Sequence, residues 1–359
     1  MRVILLLPTL LVTAAAVLPR AAAGQVRRDA PVPRLTIDLD AAPEDRWAPV
    51  LKHWDLEQLR NLWISAIDDN LPYDARPLMD VVGLAIEDLL PQPYADELKG
   101  ISKTLNITLG EITVVNMLYE FSAACTSIVA QDSNGTIWHS RNLDFEMTAQ
   151  LKNITAILDF KSKGKTVYTT TNFVGQVGVF TGMKPNKFTI SLNERDKGSI
   201  AANMVELLKA LLLKKVKFTS LIARDTLLNA ESYEEAFRRL VYEEEVAPVY
   251  IILGGVNPGE GAVITRERTA PLDVWEIDVA DGRWFLLETN YDHWVPPPAS
   301  DDRRDPGNKA MRAVGQKNIN NKTLWGVLTT PLVLNNSTVY TASMCAGKPE
   351  IYATEVRDV

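Results

Sequence analysis

The chain has 359 residues with 38 Lys and Arg against 45 Asp and Glu, a formal net charge of −7, and no excess of basic residues that would suit nucleic acid. Its two cysteines, Cys125 and Cys345, are too few for a disulfide-built scaffold. A chain of this length builds a core without such staples, so a free, reactive thiol is tolerable.

A basic start at Arg2, an apolar run to Leu18 and small residues from Ala21 to Gly24 predict a secretory signal over 1–23. Its removal takes the charge to −9, 36 basic residues against 45 acidic. No later stretch has about 18 uninterrupted apolar residues, so a soluble mature protein is expected. Sequons begin at Asn106, Asn134, Asn153, Asn321, Asn335 and Asn336. Glycans are expected on Asn106, Asn153, Asn321, Asn335 and Asn336, with Asn134 disfavoured by its tight turn.

Residues 25–45, rich in Pro, Arg and Asp, read as an extended arm. Trp47, Val50, Leu51 and Trp54, then Leu59, Leu62, Trp63 and Ala66, recur at helical spacing with a phase slip after Trp54. Pro77 to Leu90 predicts a second helix, and Thr108 with Glu111 forms a capping box before another. After Cys125 the pattern turns to strands: 126–131, the turn residues Asp132 to Gly135, then 136–143. Further strands are expected at 154–160, 165–171, 187–192, 248–254, 262–266, 273–279 and 283–289. Helices are expected at 200–215, 219–229, 232–241 and near 308–333. Two strand blocks separated by helices predict packed sheets under helical layers, an α+β architecture.

A turn centred at 133/134 sets Cys125 opposite Asn142, and one at 134/135 sets it opposite Asp144; both bring Arg141 and Asp144 beside the thiol. A cysteine hydrolase ordinarily needs a histidine base, but His53, His139 and His293 stand in no Cys/His pattern. An N-terminal cysteine carries its own base, an α-amine of pKa about 7.7 to 8.0. That amine exists only if the backbone is cut between Ala124 and Cys125. The expectation is therefore that Cys125 attacks the Ala124 carbonyl, that Arg141 favours the thiolate, and that Asp144 holds the new ammonium. A buried core cysteine beside a surface ion pair fits the same local pattern.

The run from Cys125 to Gly135, followed by Arg141, Asn142, Leu143 and Asp144, resembles the N-terminal-nucleophile cysteine amidases of the cholylglycine hydrolase and acid ceramidase group. Blocks at 193–198, 254–255, 289–294 and 301–304 resemble that group in the same order. The resemblance implies an N-terminal-nucleophile αββα sandwich, with a helical α-subunit at 24–124 and a catalytic β-subunit at 125–359 that stay together as a heterodimer. It implies that Asn290 contributes to an oxyanion hole, that Glu194 and Arg303 support the site, and that neither metal nor cofactor takes part. It also implies a lysosomal hydrolase cutting N-acylethanolamines, such as palmitoylethanolamide, to fatty acid and ethanolamine. Ceramide is the alternative substrate, and a catalytically silent lipid-binding protein the alternative class.

The stretch 200–213 is apolar over a broad arc that includes Leu208, Leu211 and Leu212, and ends at Lys214, Lys215 and Lys217. It suits a core helix or one that dips into an anionic membrane. The resemblance implies the membrane role for it and for the tryptophan-rich helix near Trp47 to Trp63, although Ser199 to Ala202 lack the group's aromatic cluster.

Overall fold

In the computed structural model, which describes residues 31–70, 79, 90–118, 123–145, 147–195, 218–243 and 248–359, the N-terminal arm is not irregular. It supplies β1 (Arg34–Asp38), followed by α1 (Ala48–Leu51), α2 (Leu56–Asn70), α3 (Tyr94–Leu105) and α4 (Leu109–Leu118). The phase slip after Trp54 is a real break: Asp55 Oδ1 accepts from Gln58 N at 2.9 Å, the hydrogen bond of an N-cap that starts α2 afresh. At α4 the expected box closes in both directions, Glu111 N to Thr108 Oγ1 at 3.1 Å and Thr108 N to Glu111 Oε2 at 2.7 Å. The expected signal at 1–23, nearly all of the 77–90 helix, and the 200–215 helix with Leu208, Leu211 and Leu212 lie outside the described residues.

The chain continues through β2 (Ala123–Gln131), β3 (Ile137–Phe145), α5 (Thr148–Asn153), β4 (Thr155–Ser162), β5 (Lys165–Phe173), β6 (Thr181–Lys184) and β7 (Phe188–Glu194). Then come α6 (Thr219–Asn229), α7 (Tyr233–Tyr242), β8 (Val249–Gly254), β9 (Gly261–Arg266), β10 (Pro271–Glu276) and β11 (Phe285–Glu288). The last elements are α8 (Arg304–Val314), α9 (Asn321–Leu328), β12 (Thr338–Met344) and β13 (Tyr352–Val356). The helical stretch expected near 308–333 is two helices, because Gly315 turns at φ 72° and Asn320 with Thr323 makes a second capping box.

Eight strands form one sheet in the order β1-β4-β5-β6-β7-β8-β9-β10, and five form another in the order β11-β2-β3-β12-β13. The sheets pack face to face through β2 and β3 on β7 to β9, with α6 and α7 against the larger sheet and α8 and α9 against the smaller. This is an αββα sandwich of the α+β class. Alternation along β2 sorts its side chains: Val129 joins Ile137, Tyr250 and Ile252 between the sheets, whereas Ile128 and Ala130 join Met311, Leu324 and Val327 under the helices.

The N-terminal elements are built into this sandwich. β1 pairs in parallel with β4, Leu35 opposite Leu158, as an edge of the larger sheet. Trp54 Nε1 donates to Asn153 O at 2.9 Å and Trp63 Nε1 to Val174 O at 3.1 Å. Trp47 and Trp63 are buried, so the indoles offered above for membrane docking serve the interior instead.

Candidate active site

The turn residues set the strand register. Asp132 Oδ1 accepts from Asn134 N and Thr136 N, and Gly135 sits at φ 88°, so a three-residue loop centres on Asn134. Cys125 is therefore opposite Leu143, midway between the two registers expected, with Ser127 opposite Arg141 and Ala124 opposite Asp144. The one-residue difference matters because it fixes which face each side chain takes. Arg141 shares the thiol's face, between the sheets, and Asp144 takes the other.

On the inner face Arg141 Nη2 donates to Cys125 Sγ. Arg141 Nη1 donates to Phe180 O at 2.8 Å and Thr181 Oγ1 at 3.1 Å, and Thr181 shares a 2.8 Å hydrogen bond with Tyr340 Oη. His139, two residues before Arg141, bonds Thr189 and Ser191 on β7 at 2.9 and 2.8 Å, and burial followed by Arg141 pushes its pKa down to about 3. It is a neutral bridge between sheets, with its partners far along the strand from the sulfur. His293 stacks on Trp275 with centroids 4.3 Å apart.

The backbone of Cys125 is held separately. Its N–H donates to Asn290 Oδ1 at 2.7 Å, and its carbonyl accepts from Arg303 Nη1 at 2.5 Å. Arg303 Nη2 reaches the same Asn290 oxygen at 2.8 Å, and Asp301 anchors the guanidinium through Nε at 2.7 Å. Asn290 Nδ2 donates to Glu194 O at 2.7 Å. Glu194 thus enters through its main chain, with its side chain half-buried at the margin. Arg195 clamps Asp292 bidentately at 2.7 and 2.9 Å, which fixes the turn carrying Asn290 against the end of β7.

On the outer face Asp144 is 0% exposed. Its Oδ2 lies 3.6 Å from Arg303 Nη1 and accepts from Asn335 Nδ2 at 2.9 Å, while Oδ1 has no hydrogen-bond partner among the described residues. Burial pushes this carboxyl above its ordinary range, against the opposing pull of Arg303, Thr338, Asn335 and Arg141. The thiol is raised too: burial outweighs Arg141, and Asp144 adds to the rise. Arg141, and Arg303 with it, favours the thiolate, but in the continuous chain their charge does not repay desolvation.

Cys125, Arg141, Asp144, Asn290 and Arg303 therefore converge, with Glu194 contributing a carbonyl. Sequence reasoning missed Thr181, Tyr340 and Asp301 and marked Asn335 only as a sequon; Asp301 lies in the quoted 301–304 block, and Thr181 and Tyr340 sit where no local pattern marks them. Of the sequons, Asn106, Asn134 and Asn336 are exposed and Asn153, Asn321 and Asn335 half-buried.

Residues 125–318 match the linear amide C–N hydrolases of the choloylglycine hydrolase family, and residues 30–90 match a family described as the beta subunit of N-acylethanolamine-hydrolyzing acid amidase, which letters the fragments the other way round. The chain belongs to the choloylglycine hydrolase family of linear amide hydrolases and has its N-terminal-nucleophile fold. Within it, the chain is 45% identical over 326 residues to mouse N-acylethanolamine-hydrolyzing acid amidase, covering 91% of this chain and 89% of that protein. Human acid ceramidase is 40% identical over 351 residues, 91% and 86% of the two chains. A solved Caenorhabditis elegans N-acylethanolamine-hydrolyzing acid amidase ortholog superposes with a TM-score of 0.60 at 36% identity, over 65% of this chain and all of that one.

Proposed function

We propose that the protein is a self-cleaving lipid amidase that hydrolyses N-acylethanolamines to fatty acid and ethanolamine. The observation that carries this is the separate handling of one residue: Cys125 has its nitrogen on Asn290, its carbonyl on Arg303 and its thiol on Arg141, all inside an unbroken strand. A core cysteine has no use for three such partners. The 0% exposure of Cys125 in that strand leaves its own backbone as the nearby electrophile.

In the first step the thiol loses its proton and Sγ bonds the Ala124 carbonyl carbon. The C–N bond to Cys125 breaks, the proton passes to the leaving nitrogen, and water hydrolyses the resulting thioester. Cleavage creates an α-ammonium, for which Asp144 Oδ1 is a free acceptor. Thereafter the ammonium gives one proton to water, the resulting amine takes the thiol proton, Sγ bonds the substrate carbonyl carbon, and ethanolamine leaves with that proton. Water then releases the fatty acid. Donors preorganised at the carbonyl, with the Asn290 amide foremost, carry the oxyanion. A small apolar hollow lined by Trp63, Ala66, Val115, Phe145, Leu151 and Phe173 lies beside the end of β3, and an acyl chain would have to widen it.

The fragments 24–124 and 125–359 remain together because β1 and α3 are bonded into the C-terminal part. A lysosomal address, glycans at sequons that include the exposed Asn106 and Asn336, and membrane contact through Leu208, Leu211 and Leu212 complete this reading. The test is incubation of purified protein at acidic pH with palmitoylethanolamide and with ceramide, while chain cleavage is followed on a gel. Turnover of palmitoylethanolamide with appearance of a chain beginning Cys-Thr-Ser supports the proposal; faster ceramide turnover reassigns the substrate. Turnover by a wholly uncut chain would falsify the mechanism. Weaker recruitment of a Leu208→Glu, Leu212→Glu variant to anionic vesicles tests the membrane surface, and equal recruitment removes it.

A further inference from the structure

Asn335 and Asn336 form overlapping sequons, Asn-Asn-Ser and Asn-Ser-Thr, in the turn that leads into β12. Their environments differ. Asn336 is exposed, whereas Asn335 is half-buried and aims Nδ2 at Asp144 Oδ2, 2.9 Å away, on a carboxylate with a 1% exposed side chain. Every other polar atom of Asn335 is engaged locally. Its Oδ1 accepts from Ser337 N at 2.9 Å, its N–H donates to Thr338 Oγ1 at 3.1 Å, and its carbonyl accepts from Thr338 N at 2.9 Å. The turn thus presents one amide donor inward, with its aim fixed by three further hydrogen bonds.

We propose that Asn335 is a positioning residue for Asp144, its amide nitrogen committed to that carboxylate, so that Asn336 is the glycan acceptor of the pair. The proposal rests on the role given to Asp144 above. Asp144 has one ion-pair partner among the described residues, Arg303 at 3.6 Å, with Arg141 acting from further off, and Arg303 is itself divided among Cys125 O, Asn290 and Asp301. A neutral donor that is not shared can orient the carboxylate without pairing away its charge, which leaves Oδ1 for the new ammonium. A glycan on Asn335 would have to leave from the one atom that faces inward, and the sugar would displace that contact.

The groups facing the carboxylate are Arg303, Arg141, Thr338, Asn335 and the Cys125 thiol. Asn335 can be exchanged with little change of shape. An Asn335→Asp variant keeps the acceptor for Ser337 N and replaces only the donor. At pH 7 two carboxylates then oppose each other, and maturation and hydrolysis are expected to fall about 10- to 100-fold, the loss of one hydrogen bond to a charged group. As the pH drops the pair shares a proton, the donor returns, and the deficit shrinks. A deficit that does not change with pH, or none at all, overturns the proposal. Should that variant fail to fold, glycan mapping of the active wild type decides, since an occupied Asn335 overturns it and an unoccupied Asn335 beside an occupied Asn336 supports it. Asn336→Gln, which leaves the Asn335 sequon intact, should lose one glycan and keep its activity. Asp144→Asn separates the two failures: wild-type rates there remove Asp144 from the site, whereas impaired Asp144→Asn with a normal Asn335→Asp removes Asn335 alone.

Discussion

Two buried charged clusters straddle the Ala124–Cys125 bond, and they differ in one respect. In the first, Glu97 of α3 meets Arg224 of α6: Oε1 accepts from Arg224 Nη2 at 2.7 Å and Arg46 Nη1 at 3.0 Å, and Oε2 from Arg224 Nη1 at 2.6 Å and Trp47 Nε1 at 2.8 Å. Burial pushes the Glu97 carboxyl up, yet Arg224, Trp47 and Arg46 hold it below its ordinary value. In the second, around Cys125, burial wins: the thiol and Asp144 are both raised, and Asp144 Oδ1 has no partner among the described residues. A satisfied buried cluster clamps structure, and an incompletely satisfied one holds chemistry in reserve. The first ties the N-terminal fragment to the rest. The second lies where the fragments would part.

The comparison breaks most sharply at the sulfur. Cys125→Ala should leave one uncut chain and background hydrolysis, a loss on the order of 10⁶-fold by analogy with other nucleophile deletions; a cut chain or normal turnover on the same gel and assay would return Cys125 to the core. Removing one member of the clamp should act on stability instead. Glu97→Ala is expected to cost about 3 to 5 kcal/mol in a denaturant titration, whereas a Glu97→Leu, Arg224→Met pair recovers most of it. Cut protein carrying Glu97→Ala should also separate into fragments at lower denaturant, and unchanged midpoints would show that β1 and the tryptophan hydrogen bonds hold them without the clamp. Asp144→Asn should slow maturation and hydrolysis roughly 10²- to 10³-fold, the scale of one lost preorganised group, with little change in the unfolding midpoint.

The smallest effect concerns pH. Glu288, 0% exposed beside Thr289 and Asn290, has its carboxyl pushed up to about 8, by burial first and by Asp292, against Thr289 N–H, Arg304 and Arg195. A raised carboxyl pKa means that the folded state holds its proton more tightly than the unfolded one. Stability from this group is therefore full below the ordinary value of 4.5 and is lost as the pH rises toward about 8. Wild type should gain up to a few kcal/mol between pH 8 and 5, and Glu288→Gln should flatten that slope. Glu97 works the other way, since its stabilisation is present above the ordinary carboxyl value and is lost as the pH falls through its depressed one. The midpoint measured across pH separates the two clusters by sign.

Local chemistry was readable in the chain itself. The Thr108 and Glu111 box, the hairpin after Cys125 and helix 219–229 follow from side chains that act within a few residues of themselves. So does the absence of a histidine base, which directs attention to a nucleophile that makes its own amine. Four strands escaped notice: β6, which is only four residues long, and β1, β12 and β13, whose edges are defined by partners up to about 200 positions away and whose own residues alternate too weakly. The hairpin register was bracketed but missed by one residue, since Asp132 and Gly135 settle it through backbone geometry that composition does not reveal. The site divides in the same manner. Cys125, Arg141 and Asp144 lie on adjacent strands and were found together, while Asn290, Arg303 and Asn335 reach them from loops far along the chain. Sequence determined which groups could react. Packing decided which are charged, because only the folded interior sets how much water each one loses and which partner replaces it.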